Sequence, residues 1–205
     1  KSLEEPPPQA MFLLVSSEPG RLLPTIRSRC RLLDLAPLGS ADLTRAAKAA
    51  LAAADGEAVG DTDWPRLERI AQGSVRALLE LAGGGGLKLA ERIEQLIGAL
   101  PRVDWTSVHA LSDELAPAAA EQKFETFYRL LLAHLARMIR ARATGRGEAA
   151  EAALAERLIG DGRLAAWAEL WETLGAQKAE AMAINLDRKT LILELFSRLE
   201  QTAAR

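Results

Sequence analysis

Met11-Phe12-Leu13-Leu14-Val15 is a continuous apolar run closed by Ser16-Ser17-Glu18-Pro19. A short apolar run bounded by turn residues predicts a strand buried on both faces. Pro19-Gly20 supplies a turn, and Pro24 suits the first turn of a short helix that carries Arg27 and Arg29 toward its C-terminal end. Arg31-Leu32-Leu33-Asp34-Leu35 reads as a second short strand, and Ala36-Pro37-Leu38-Gly39 breaks the pattern. Helical periodicity then takes over. Ser40 is a candidate N-cap for a helix over 41–54 with Leu43, Ala47 and Leu51 on one face, closed by Asp55-Gly56. A second helix is expected from about Trp64 to Gln72, and Gly73-Ser74 starts a third over 75–82.

Gly83-Gly84-Gly85-Gly86 divides the pattern again. Four glycines offer no side chain to pack and are costly to order, so the run reads as a linker. A phosphate-cradling loop would need Gly-Lys-Ser/Thr after it and a strand before it, and neither is there. Residues 87–205 are helical throughout. Leu89, Ile93, Leu96, Ile97 and Leu100 recur at helical spacing, as do Phe124, Phe127, Tyr128, Leu131, Leu135, Met138 and Ile139. Asp187 caps a last helix striped by Leu191, Ile192, Leu195, Phe196 and Leu199, and Trp167 and Trp171 lie one turn apart. Such stripes fit the core of a bundle.

Composition agrees with helix. The chain of 205 residues is 49% apolar and 26% charged, rich in alanine and leucine and sparse in β-branched residues. A net charge of −2 gives no basic excess for nucleic-acid binding by this chain alone. The single Cys30 excludes an intrachain disulfide and fits a reducing, cytoplasmic setting. No apolar run is long enough to span a bilayer, and no signal peptide is expected. The chain starts at Lys1 within a motif, which reads as a piece of a longer protein.

That motif, Leu3-Glu4-Glu5-Pro6-Pro7, followed by Phe12-Leu13-Leu14-Val15-Ser16-Ser17-Glu18-Pro19 and Ser28-Arg29-Cys30, resembles the back half of the ATPase core of AAA+ clamp loaders, which open ring-shaped sliding clamps onto DNA. The resemblance covers about the first fifth of the chain, and within the family residues 19–27 resemble the delta-prime type more than the gamma/tau type. It implies a mostly α chain in three parts. Residues 1–35 would be the remnant of an α/β AAA+ core, 36–82 a three-helix lid, and 87–205, after the 83–86 linker, a helical-bundle collar that holds subunits together.

The resemblance also assigns roles. Arg29 would be an arginine finger delivered in trans to a neighbour's ATP site, where a planar guanidinium stabilises charge on the transferring phosphoryl group. On residue type alone, Arg29 reads instead as a solvated arginine favouring a helix C-terminus. Ser17 falls at the sensor-1 position, where the family commonly has Thr or Asn; otherwise it is a turn serine. Arg76, in Gly73-Ser74-Val75-Arg76-Ala77-Leu78, falls at sensor 2 or is an ordinary exposed helix arginine. The implied partners are gamma/tau and delta subunits, with the clamp and DNA reached through the complex and no membrane.

Several residues are expected to carry no chemistry. Glu4 and Glu5 are adjacent and so do not form an acid/base pair. His109 and His134 lack metal-ligand spacing, and no metal site is expected. Cys30 is expected to be buried as a small hydrophobe. The run Arg137, Arg140, Arg142 and Arg146 reads as a solvated face. With neither a phosphate loop nor an apolar strand ending in Asp-Glu, the chain is expected to hold no nucleotide and to show no ATPase activity of its own, ATP lying at a neighbour's site in a DNA polymerase complex. The leading reading is therefore an assembly subunit. The alternatives are a motor subunit of the same complex, another AAA+ replication or recombination ATPase, or a helical adaptor.

Overall fold

In a computed structural model, residues 3–5, 7–16, 19–54, 59–60, 62–83, 85–183 and 187–204 are described. The chain divides into two compact units, residues 1–38 and 39–205. The first holds a 3-10 turn, Pro19–Arg21, and one short helix, α1 (Pro24–Arg27). Pro24 sits in the opening turn of α1, where its fixed φ favours the helix and its missing N–H leaves nothing unpaired.

The two expected strands do not form. No described residue is in a strand, and 10–16 and 31–39 lack regular structure. Strand backbone needs a neighbour to exchange hydrogen bonds with. No described segment of this unit supplies one, so the apolar side chains stay in solvent, Val15 being 98% exposed.

The second unit is all helix. Three helices come first: α2 (Ser40–Ala53), α3 (Trp64–Ala71) and α4 (Val75–Ala82). Gly39 rather than Ser40 takes the N-cap position of α2, and the Ser40 hydroxyl turns to the Glu68 carboxylate on α3, as does that of Thr44. These two hydroxyl donors hold the Glu68 carboxyl below its usual range. The expected stop at Asp55-Gly56 lies outside the described residues. Gln72, in the left-handed region at φ 47°, ends α3, and the Ser74 hydroxyl accepts from the Ala77 N–H to start α4.

Six helices follow: α5 (Gly86–Ala99), α6 (Trp105–Leu115), α7 (Glu121–Thr144), α8 (Ala149–Ile159), α9 (Leu164–Ala183) and α10 (Arg188–Ala204). Asp104 caps α6 through the Ser107 N–H, and Asp187 caps α10 through the Thr190 N–H at 2.9 Å. The longest helix, α7, packs against α5, α6, α8 and α9, while α10 lies across α6 and α9. Phe124, Phe127, Tyr128, Leu131, Leu135 and Met138 are all buried along α7. The Tyr128 ring lies 5.3 Å from Phe124 and meets Phe127 edge-on at 5.8 Å. Of the tryptophan pair, Trp167 is buried and Trp171 is partly exposed, donating its indole N–H to the Leu132 carbonyl at 2.9 Å.

The apolar core runs from Leu43 on α2 to Ala203 on α10 as one cluster. At the glycine run, Gly83 ends α4 and Gly86 opens α5 within this unit. Gly85 adopts φ +78°, which favours glycine. A Cβ on Gly86 would lie 2.7 Å from the Glu80 carbonyl oxygen and 2.8 Å from the Leu81 Cα, both backbone atoms that cannot move aside alone. Gly86→Ala should therefore cost about 1–3 kcal/mol by overpacking. In contrast, Gly175→Ala on α9, with open space at its Cβ, should gain about 0.5–1 kcal/mol through helix propensity. Urea denaturation of both variants checks the opposite signs.

Candidate functional site

Arg29 lies two residues past the end of α1, after its C-cap Ser28, and its side chain folds back onto the helix. One guanidinium nitrogen donates to the Thr25 carbonyl at 2.9 Å, one of the carbonyls left open at a helix end. A second pairs with the Glu4 carboxylate at 2.8 Å. The Ser28 hydroxyl donates to the same Thr25 carbonyl at 3.2 Å. Arg29 thus uses the helix C-terminus as a cationic residue should, with more than a third of its side chain still open to solvent. An exposed ion pair of this kind is worth at most about 1 kcal/mol, so the guanidinium can leave Glu4 at small cost. Glu4 holds Arg29 through this ion pair. Cys30, expected to be buried, is exposed. It lies just beyond the helix end, in a unit whose helix has no buried residue to pack it against.

Ser17, the sensor-1 candidate, lies outside the described residues. Arg76 projects from the first turn of α4 with its side chain 89% exposed and bonds Glu80 one turn on at 2.9 Å. Glu80 is also paired with Arg129 of α7. Arg76 is therefore an accessible cation on a helix surface, tethered by one carboxylate.

The basic run is a solvated face only in part: Arg140 and Arg146 are exposed, while Arg137 and Arg142 turn to neighbouring elements. Arg137 is buried and donates through Nε to Glu151 of α8 at 2.7 Å. Its Nη2 donates to Nδ1 of His134, also buried, at 3.1 Å. Arg142 donates to the Gly160 carbonyl and to Asp161, satisfying the C-terminal end of α8. Charge counting along α7 missed this. The signal lay in the pairing of His134 with Arg137, one helical turn apart in an apolar stripe, and in Glu151 near the start of an alanine-rich helix.

Burial, helped by the Arg137 and Arg69 charges against the opposing pull of Glu151, pushes the His134 imidazole down to about 4. The folded protein holds His134 neutral, while the unfolded chain takes up a proton near pH 6.5. Stability from this group is complete above pH 6.5 and is lost as the pH falls toward 4. Between pH 7 and pH 5 the loss should be about 2 kcal/mol, before most carboxylates protonate. His134→Gln should flatten that slope in urea titrations at the two pH values.

Among the described residues no cluster of His, Cys, Asp or Glu is placed to hold a metal ion, and no helix is long and apolar enough to cross a membrane. Residues 1–39 match the family model described as DNA polymerase III, delta subunit. Over 128 residues the chain is 38% identical to DNA polymerase III subunit delta' of Escherichia coli (strain K12), a match that covers 58% of this chain and 34% of that protein. The chain thus spans about a third of the length of that relative. No solved structure matches. Both matches bear out the resemblance to the delta-prime type read from the opening motifs.

Proposed function

We propose that this relative of the delta-prime subunit is part of a clamp-loader subunit that presents Arg29 in trans to a neighbouring subunit's ATP site. The observation that carries the proposal is the Ser28-Arg29-Cys30 triplet at the end of α1, with an accessible guanidinium held by one helix carbonyl and one exchangeable carboxylate. In the proposed complex a neighbour's ATP phosphates replace Glu4 as the anion facing Arg29. A guanidinium suits the task because it offers several donors in one plane to oxygens on which charge develops.

The remaining roles follow from the same reading. Helices α2–α4 would form the lid and α5–α10 the collar that contacts gamma/tau and delta subunits, with clamp and DNA engaged through the whole assembly. Arg76 as sensor 2 would exchange Glu80 for a phosphate, and Ser17 would stand at sensor 1. ATP would bind at the neighbour's site, and the complex would load clamps for DNA replication in the cytoplasm.

Arg29→Ala in the full-length subunit should leave folding and assembly intact, because the side chain fills no core. DNA-stimulated ATPase and clamp loading of the reconstituted loader should fall. A single finger can contribute about 10³–10⁵ in rate, with a smaller net loss where only one of several sites is affected. Arg29→Lys should not restore full activity, since a point charge cannot reproduce the planar fork. Arg27→Ala removes the same charge two residues away and should have little effect. Equal, small losses from Arg27→Ala and Arg29→Ala would refute the assignment.

A further inference from the structure

The junction between helices α2–α4 and the bundle α5–α10 combines apolar contact with ion pairs. Close helix-on-helix packing across it runs through α4 on α5. Ile70 of α3 joins Ala90, Ile93 and Leu130 of the bundle in the same buried cluster, and ion pairs lie beside them. Arg66 of α3 donates to Glu91 and, at 2.8 Å, to Glu94 of α5. Arg69 of α3 reaches the same Glu94 at 3.5 Å and Glu148, before α8, at 3.6 Å. One carboxylate, Glu94, therefore takes both arginines of α3. All three side chains are about a quarter to a third exposed, dry enough for pairing to count and wet enough for salt to reach it.

Behind these pairs the packing is incomplete. A cavity of about 10 Å³ lies at the join, lined by Ile70 of α3, Ala90, Ile93 and Glu94 of α5, and Leu130, His134 and Arg137 of α7. Such a gap forfeits dispersion contacts along its walls. Partly exposed ion pairs beside such a gap give the join a component that charge and salt can change.

We propose that Glu94, shared by Arg66 and Arg69, is an ionic latch that holds α2–α4 against the bundle, with the contact of α4 on α5 as pivot. Loss of charge pairing opens the join while leaving the bundle folded. The latch stands independently of the function proposed above. It makes the seating of the three-helix unit sensitive to ionic strength and to any anion that competes for the α3 arginines.

Amide hydrogen exchange of the whole protein tests this. Glu94→Gln keeps the side chain's shape and removes its charge. Exchange in α3 should rise about tenfold at low salt, the size of a local opening made easier by one partly buried charge pairing, while buried α7 amides stay protected. Wild-type protein moved from about 0.05 M to about 1 M salt should show the same rise, and Glu94→Gln no further one. Glu114→Gln, which removes pairs with Arg92 and Lys123 inside the bundle, is the control and should leave α3 unchanged. Equal α3 exchange in wild type and Glu94→Gln, or an equal rise in Glu114→Gln, would overturn the latch. Should Glu94→Gln fail to fold, salt-independent α3 exchange in the wild type would overturn it equally.

Discussion

Burial of the aromatic stripe of α7 is the contact on which the second unit depends. Phe124, Phe127 and Tyr128 occupy one side of a helix of 24 residues that four other helices pack against. Each ring removes a large apolar area from water, and the edge-on and tilted ring geometry adds a smaller term of its own. The neighbouring helices contribute leucines and isoleucines to the same cluster, while their ends are fastened by arginines. Arg157 donates to the Leu100 carbonyl at 2.6 Å, and Arg163 to the carbonyls of Ile159 and Ala203. These contacts satisfy C-terminal carbonyls that would otherwise be left open where helices stop inside the unit.

The division of labour within the chain follows from where apolar surface is buried. Residues 39–205 hold the described core, and the first unit has no buried residue in its helix or its 3-10 turn. A side chain that must meet another molecule is better placed on such a segment than inside a packed bundle. Arg29 has that placement, and one of its two anchors, the Glu4 carboxylate, is of the exchangeable kind. Arg137 has the opposite placement. Breaking its buried pair with Glu151 would leave an uncompensated charge in the core, at a cost of about 3–5 kcal/mol, so its role is to hold α8 on α7.

Much of the helical part was legible because its signals are local. Leu43 and Ala47, the α7 stripe and the α10 stripe carry the helical period, and Ser74 and Asp187 are caps whose bonds close within one turn. The boundary at Ser40 moved by one residue because its hydroxyl found Glu68 on another helix, a long-range partner that local pattern does not encode. The strands over 11–15 and 31–35 failed for a related reason: an apolar run predicts a strand only where a second strand is present to pair with it. The glycine run was legible as a break. The close approach of Gly86 to the backbone of α4 was not, since it depends on how the two helices pack. Arg29 was singled out only through its triplet, and Arg137 was misread because charge along a helix does not reveal which side the next helix will cover.

The most direct test of the α7-centred core is equilibrium urea unfolding of Phe127→Ala, followed by far-UV circular dichroism and by tryptophan fluorescence. Phe127 is fully buried at the centre of the stripe. The account predicts a loss of about 3–5 kcal/mol, with the two probes reporting one coincident transition because Trp64 on α3 and Trp167 on α9 share the core with it. A loss below about 1 kcal/mol, the size expected of a surface substitution, would contradict it.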